Sequence, residues 1–147
     1  MQERKLLANS FMLSADNAHA RHPNHPEYAD PGNAPVMGGG VVLKFNAGLR
    51  YTTDGFSAAV LRSACQKAQV PVQTYYNRAD LPGGSTLGCI SLSQVSVPSA
   101  DIGLAQLAMH SCYETASVQD AAYLEKAMEA YYGMTLEQTA GESWKLS

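Results

Sequence analysis

A dense group of metal-binding side-chain types lies near the beginning of the chain. His19, His22 and His25, three of the four histidines in the sequence, fall within ten residues that begin with Asp16. The apolar run at 11–15 is typical of a buried strand, so Asp16 is expected where a strand ends and a loop begins. Catalytic and ligand-binding groups concentrate at such strand ends. Carboxylates and imidazoles bind zinc-like metals when no thiolate is near, so the segment predicts a metal or acid/base site.

The composition of the same segment supports a second interpretation. Prolines at 23, 26, 31 and 35 and three consecutive glycines at 38–40 are typical of a solvated surface loop. A loop of about twenty residues inside a compact domain is usually either functional or disordered. The histidines alone leave both interpretations open.

Composition limits the class of protein. A chain of 147 residues with 46% apolar and 16% charged side chains is expected to form a single globular domain over 1–147. The net charge of −3 and the lack of a Lys/Arg cluster argue against nucleic-acid binding. No apolar run approaches the roughly 20 residues that span a bilayer. No secretory leader follows Met1, so we expect a cytoplasmic protein without membrane partners.

The cysteines do not predict a disulfide framework or a thiolate zinc site. Cys65, Cys89 and Cys112 are widely spaced, and none belongs to a CxxC pair. Each has apolar or small neighbours, so all three are expected to be buried.

The hydrophobic spacing predicts alternating strands and helices. Strands are predicted at 11–15, 41–46, 70–76 and 98–104, and helices at 3–9, 56–67, 85–94 and 118–132. Thr53 or Asp54 is expected to cap the second helix, whereas Ser117 should cap the last one, which ends at Gly133. The order of elements indicates an α/β fold, a layered sheet with flanking helices, and 134–147 is predicted to be a tail.

Three groups with chemical potential lie at the ends of these predicted elements. Asp16 follows the first strand, Gly84, Ser85 and Thr86 begin a helix, and His110 follows the last strand. Open α/β sheets bind ligands beyond their strand ends. If these ends converge, Asp16 and His110 could share a metal. The backbone N–H groups at 84–86 could then bind a carboxylate or an oxyanion.

Lys44 interrupts the otherwise apolar strand at 41–46. A lysine in this position either extends to the surface at a sheet edge or faces an anion. Tyr51, a few residues later, is similarly ambiguous.

Five segments, taken in order, resemble motifs of the aspartyl aminopeptidase family. They are Ser10-Phe-Met-Leu-Ser-Ala-Asp-Asn-Ala-His-Ala-Arg-His-Pro-Asn24, Gly39-Gly-Val-Val-Leu-Lys-Phe-Asn46, Tyr51-Thr-Thr-Asp54, Gly84-Ser-Thr86 and Met109-His-Ser111. The series runs through most of 3–133, which makes it more specific than any single motif. Members of that family are cytosolic dinuclear zinc exopeptidases that remove N-terminal Asp or Glu from peptides.

The resemblance implies a role for each matching residue. Asp16 and His110 would be metal ligands, one on each of two zinc ions. The substrate pocket would contain His19, Lys44 and Tyr51 together with Gly84, Ser85 and Thr86. Lys44 is a suitable counter-charge for an acidic side chain.

The resemblance covers only the C-terminal part of the family's catalytic domain. The first histidine ligand, the bridging aspartate, the glutamate ligand and the catalytic glutamate base would all come from upstream sequence, so no catalytic base is assigned here. Two ligands without the bridging carboxylate and the base imply weak metal binding and negligible hydrolysis by the isolated chain.

Other roles therefore stay open beside that of an enzyme fragment. The chain could be one half of a split enzyme, or a non-catalytic remnant that binds acidic peptides or serves as a scaffold. Part of an α/β domain without the remainder exposes apolar surface. We therefore expect self-association or an upstream polypeptide as a partner.

Overall fold

A four-stranded sheet flanked by helices forms the centre of the fold. The computed structural model of the chain describes residues 2–139 and 143–147. The helices in these ranges are α1 (Gln2–Ala8), α2 (Gly55–Lys67), α3 (Leu87–Gln94) and α4 (Val118–Tyr132). The strands are β1 (Met12–Ala15), β2 (Ala18–His19), β3 (Val41–Phe45), β4 (Val72–Tyr76), β5 (Ser99–Gly103), β6 (Ala105–Leu107), β7 (Thr115–Ala116), β8 (Leu136–Gln138) and β9 (Trp144–Leu146). A short 3-10 turn, Pro26–Tyr28, lies in the histidine-rich loop.

The central sheet has the strand order β1-β5-β3-β4. β1 is parallel to β5 and β3 is parallel to β4, whereas β3 and β5 are antiparallel. A smaller sheet has the order β2-β6-β7, in which β2 and β6 are parallel. The α/β fold with a layered sheet and flanking helices that the sequence predicts is therefore confirmed.

The two faces of the central sheet differ in chemistry because side chains alternate along each strand. On one face, Leu43 and Ile102 pack with Leu61 of α2 in the main apolar core, which also includes a residue of α4. On the other face, Ser14 and Asp101 lie beneath α3, since a Cβ on its Gly88 would be 2.9 Å from an oxygen of each. The apolar face stabilises the fold, and the polar face contains the candidate functional groups.

A capping box begins α2. Asp54 Oδ1 accepts the N–H of Ser57 at 2.8 Å, and Ser57 Oγ accepts the N–H of Asp54 at 2.9 Å. These bonds satisfy N–H groups that a helix start otherwise leaves unpaired. Of the two residues predicted to cap this helix, Asp54 is the one that does so. Thr53 Oγ1 instead accepts the N–H of Asp101 at 2.8 Å.

A buried carboxylate fixes the glycine turn that precedes β3. Asp120, in the first turn of α4, is fully buried, and its two oxygens accept the N–H groups of Gly38 at 2.7 Å and Gly40 at 2.9 Å. Negative charge is favourable at this end of a helix. Gly40 has a φ of +104°, and a Cβ there would lie 2.1 Å from Pro71 O. The turn therefore requires glycine at position 40.

The predicted helices are confirmed, but two segments differ from expectation. The predicted tail at 134–147 contains the antiparallel strands β8 and β9, and the ring of Trp144 lies 5.0 Å from that of Phe56 in α2. The last predicted strand, at 98–104, is also followed directly by a further short strand, β6, which the sequence pattern does not predict. Ser117 precedes α4, but its side chain makes no capping hydrogen bond.

The prediction of three buried cysteines is wrong for Cys112, which is exposed in the connection that leads to β7. Cys89 is partly buried and Cys65 is fully buried. Burial raises the pKa of the Cys65 thiol to about 11, so Cys65 behaves as an apolar core residue. None of the helices in the described ranges is long and apolar enough to cross a membrane.

Replacing Asp120 by Asn is expected to lower the free energy of unfolding by about 1–3 kcal/mol. The amide keeps the shape of the carboxylate, but its NH2 group would face one of the two glycine N–H donors. Urea denaturation measures the effect. The matched control is Glu125→Gln, an exposed carboxylate on the same helix, which should change stability by less than about 0.5 kcal/mol. Equal destabilisation by both variants would contradict this role for Asp120.

Candidate functional site

Asp16 lies where the chain passes from the central sheet to the smaller one. It follows the last residue of β1, and its N–H donates to Ile102 O at 2.9 Å. Its side chain is exposed, and β2 begins two residues later. The sequence-predicted position of Asp16, at the end of a strand, is therefore correct.

The backbone of Asp16 is in close contact with β5. A Cβ on Gly103, the last residue of β5, would lie 1.9 Å from Asp16 O. No side chain fits at that distance, so position 103 must be glycine for β1 and β5 to leave the central sheet side by side. Asn17 stabilises this passage of the two strands from the central sheet to the smaller one. Its side chain accepts the N–H of Leu104 at 3.2 Å and donates to Gln106 Oε1.

Lys44 connects β3 to the backbone between β1 and β2. Its ammonium donates to Asp16 O at 3.0 Å and Asn17 O at 3.3 Å, and Nζ lies 5.0 Å from the centre of the Tyr51 ring. Only 1% of Lys44 is exposed, so the side chain does not extend to the surface. Burial lowers its pKa, and the nearby charges of Asp16 and Asp101 act in the opposite direction. The bonds to carbonyl oxygens and the contact with the Tyr51 ring favour the ammonium form.

Tyr51 is buried against Tyr75, with 6.2 Å between the ring centres. Burial is the main cause that raises the pKa of its hydroxyl far above the ordinary value, and the neighbouring Tyr75 adds to the effect. Tyr51 is therefore a neutral phenol, which can donate a hydrogen bond while its ring covers the Lys44 ammonium.

Asp101 is the buried acidic group of this face and was not singled out from the sequence. Its Oδ2 accepts the N–H of Thr52 at 2.6 Å and the hydroxyl of Thr52 at 2.9 Å. The segment that carries Tyr51 is thereby held against β5. Oδ1 of Asp101 accepts no hydrogen bond from any described residue. Its negative charge lies close enough to Lys44 to counter the effect of burial on that ammonium.

His19 and His110 lie in the same region of the molecule. His19 ends β2 opposite Gln106 of β6, and His110 follows β6 with a φ of +67°. The N–H of His110 donates to Glu114 Oε1 at 2.5 Å, which holds this turn. Partial burial of the ring is the largest cause that lowers the pKa of His19, followed by the charges of His110 and Lys44. The pairing of β2 with β6, the strand that leads to His110, agrees with this effect of one ring on the other.

The histidine-rich loop forms one wall of a cleft of about 300 Å³. His19 and Gly84 line this cleft together with His22 and His25, whose ring centres are 5.3 Å apart. His22 Nδ1 accepts the N–H of Asn24 at 3.1 Å, and His25 Nδ1 lies 3.1 Å from an oxygen of Glu27. One nitrogen of each of these two rings therefore has a partner within the loop.

The segment 84–86 leads into α3, the helix that covers the polar face of the central sheet. Gly84 and Ser85 are exposed, whereas Thr86 is 4% exposed at the start of α3. Thr86 Oγ1 has no hydrogen-bond partner among the described residues, so the side chain does not cap α3. Backbone N–H groups at the beginning of this helix are suited to an anion.

The described part of the chain does not form a closed metal site. No group of three or more His, Cys, Asp and Glu side chains in the described ranges is arranged to hold a metal ion. A zinc site needs at least three protein ligands together with a water or substrate. Asp16 and His110 alone do not meet this requirement, so no reaction step can be assigned to a metal held by this chain by itself.

The sequence profile of the family described as "Aminopeptidase I zinc metalloprotease (M18)" matches residues 1–132. The chain belongs to the M18 peptidase family. The expected relation to aspartyl aminopeptidases, which fall in this family, is confirmed. Because the family consists of zinc metalloproteases, zinc is the metal that it implies.

The curated M18 relatives of this chain are much longer than the chain itself. The probable M18 family aminopeptidase 2 of Mycobacterium tuberculosis (strain H37Rv) is 44% identical over 132 residues, which are 90% of this chain and 30% of the relative. The protein of the same name from Pseudomonas aeruginosa (strain LESB58) is 43% identical over 87% of this chain and 30% of its own length. The chain thus spans about 30% of the curated relatives that it matches.

Solved M18 structures share the fold. Aminopeptidase I from Clostridium acetobutylicum superposes with a TM-score of 0.77 at 29% identity, over 89% of this chain and 30% of that one. The dodecamer of S. cerevisiae mApe1 gives a TM-score of 0.78 at 27% identity, over 88% of this chain and 28% of that one. This chain therefore represents a portion of the M18 fold, and at least one structural relative is an oligomer.

Replacing Gly103 by Ala is expected to lower the free energy of unfolding by about 1–3 kcal/mol, because the added methyl group overlaps the Asp16 carbonyl. The matched control is Gly55→Ala at the start of α2, where a Cβ meets no atom within 4 Å. That change should be neutral or stabilising by up to about 1 kcal/mol. Chemical denaturation of both variants measures the difference, and equal stability of the two would disprove the close contact.

The His110→Ala variant is expected to raise the pKa of His19, because it removes one of the charges that disfavour the imidazolium form. NMR titration of the imidazole C2–H resonances measures this pKa. The matched control is His25→Ala, which should leave the His19 titration unchanged. An unchanged His19 pKa in the His110→Ala variant would contradict the placement of the two rings.

Proposed function

We propose that this chain is the C-terminal part of the catalytic domain of an M18 zinc aminopeptidase that removes N-terminal Asp or Glu from peptides. The observation that carries the proposal is the M18 match over 1–132, a range that contains every candidate site residue. Two zinc ions in the complete site and a cytoplasmic location belong to the same proposal.

Asp16 and His110 are the metal ligands that this chain would contribute. Asp16 follows β1 and His110 follows β6, and both side chains are exposed. Carboxylate oxygen and imidazole nitrogen are suitable zinc ligands. The remaining ligands and the general base would come from the part of an M18 catalytic domain that this chain lacks. Zinc would polarise the scissile carbonyl and activate water once the site is complete.

The buried ammonium of Lys44 supports a preference for acidic substrates. Two carbonyl oxygens take two of its three N–H donors, which leaves one for a substrate carboxylate. His19, whose charge interacts with that of Lys44, can donate a further hydrogen bond. A carboxylate that binds there would be partly shielded from water, so its attraction to the ammonium would be stronger than at the surface.

The isolated chain is expected to show no measurable hydrolysis of a chromogenic N-terminal Asp or Glu substrate with added zinc. Two ligands without a base cannot both position and deprotonate a water molecule. Turnover by rigorously purified chain would disprove the incompleteness of its site. Binding of acidic peptides that is unaffected by a chelator would instead favour the non-catalytic remnant.

The Asp16→Asn and His110→Ala variants are each expected to weaken zinc binding by the chain about tenfold or more, because each removes one of the few available ligands. Competition with a chromophoric chelator measures the affinity. The matched control is His25→Ala, which removes an exposed histidine of the cleft and should leave the affinity unchanged. If zinc affinity falls only in the control variant, the metal assignment fails and the histidine-rich loop is the binding segment.

A further inference from the structure

A second cleft, of about 510 Å³, lies beside the first cleft, the one that contains His19. Tyr76, Asn77 and Arg78 line both clefts, so the two adjoin at the end of β4. The second cleft alone is also lined by residues of the turn that follows β3, among them Arg50. A ligand that begins beside His19 can therefore extend past Asn77 to Arg50.

Arg50 presents an unpaired guanidinium to the second cleft. Its side chain is exposed and makes no hydrogen bond or ion pair with any described residue. Asn46 holds the turn that carries it. Its Oδ1 accepts the N–H of Gly48 at 2.8 Å, and its backbone oxygen accepts the N–H of Leu49 at 3.1 Å. An unpaired guanidinium on such a turn is suited to bind a carboxylate through two parallel hydrogen bonds.

The other charged groups in the described lining of the second cleft already have partners. Arg78 forms an ion pair with Asp80, with 2.7 Å between Nε and Oδ1. The Asp30 carboxylate accepts two hydrogen bonds from its own loop, at 3.0 Å each. Asp30 lines both clefts, so its negative charge disfavours an anion where the two adjoin. Negative charge is therefore best placed beside Arg50.

The rings of Phe45 and Tyr76 give the second cleft an apolar wall. Their centres are 5.3 Å apart and their planes differ by 12°, because the two residues are partners at the ends of β3 and β4. One unpaired guanidinium beside an apolar wall suits a single carboxylate that carries a small side chain. A polyphosphate would need several cationic groups.

We infer that Arg50 binds the C-terminal carboxylate of a short peptide whose N-terminal residue occupies the first cleft. This inference rests on the proposed function, which places an acidic N-terminal residue beside Lys44 and His19. The substrate class is then short free peptides, because both ends of the same molecule are bound. A longer chain places an uncharged peptide group beside Arg50 and gains nothing from the guanidinium.

The test is an NMR titration of the full, isotope-labelled chain with the tripeptide Asp-Ala-Ala and with its C-terminal amide. We expect the free acid to bind about fivefold more tightly than the amide. The backbone signals of 46–50 should shift with the free acid. Arg50→Gln should abolish the difference between the two peptides, and Arg50→Lys should retain part of it.

The matched control is Arg62→Gln, which removes the same charge from an exposed arginine of α2 outside both clefts. This variant should keep the full preference for the free acid. A second measurement uses a peptide of Asp followed by nine alanines. Its free acid and its amide should bind equally, because its carboxylate lies beyond the reach of Arg50.

Four results would overturn the inference. The first is equal binding of the Asp-Ala-Ala acid and amide, and the second is an absence of shifts at 46–50 with either peptide. The third is equal loss of the preference in the Arg50→Gln and Arg62→Gln variants. The fourth is an undiminished preference for the free acid in the longer peptide, which would mean that the cleft does not select short substrates.

The N-terminal residue of the peptide separates this inference from the proposed function. Equal binding of Asp-Ala-Ala and Asn-Ala-Ala, with the Arg50-dependent preference for the free acid preserved, would contradict the acidic selectivity and leave the second cleft in place. Tighter binding of Asp-Ala-Ala than of Asn-Ala-Ala, without any effect of the C-terminal amide, would have the opposite meaning.

Discussion

The passage of β1 and β5 out of the central sheet is the constraint on which the candidate site depends. Asp16 and Gly103 lie so close that no side chain fits between their backbones. Because the two strands leave together, they continue as the paired strands β2 and β6 of the smaller sheet. This shared path places Asp16 beside the end of β5 and His19 beside β6, the strand that leads to His110, although His110 belongs to a distant segment of the sequence.

The buried ammonium of Lys44 also stabilises the segment that joins β1 to β2. Removing an ammonium group from water is unfavourable unless it gains hydrogen bonds and nearby negative charge. Lys44 obtains both, from the carbonyl groups of Asp16 and Asn17 and from the charge of Asp101. Asp101 in turn holds Thr52 and the segment that contains Tyr51. One charge network thus links positions that the family resemblance assigns separately to metal and to substrate.

The features that could be predicted from the sequence are those set by local patterns. The apolar spacing of α2 and the apolar run of β3 are contained in short windows, and Asp16 was correctly placed at a strand end. The roles of Gly103, Asp101 and Asp120 depend on partners far away in the chain, so no short window contains their cause. The carbonyl contacts of Lys44 could not be foreseen for the same reason. A strand pattern places a lysine among apolar residues, but it does not show whether the ammonium reaches the surface or which neighbouring backbone it contacts.

The terminal hairpin makes the chain a natural spectroscopic reporter. Trp144 is the single tryptophan of the sequence, and its ring rests on Phe56 of α2, which also contacts Phe11 just before β1. Indole emission depends on the polarity around the ring. The wavelength of maximum emission therefore reports whether β8 and β9 remain packed against α2. A change at the entrance to β1 can reach this ring through two aromatic contacts, and it can be followed without any label.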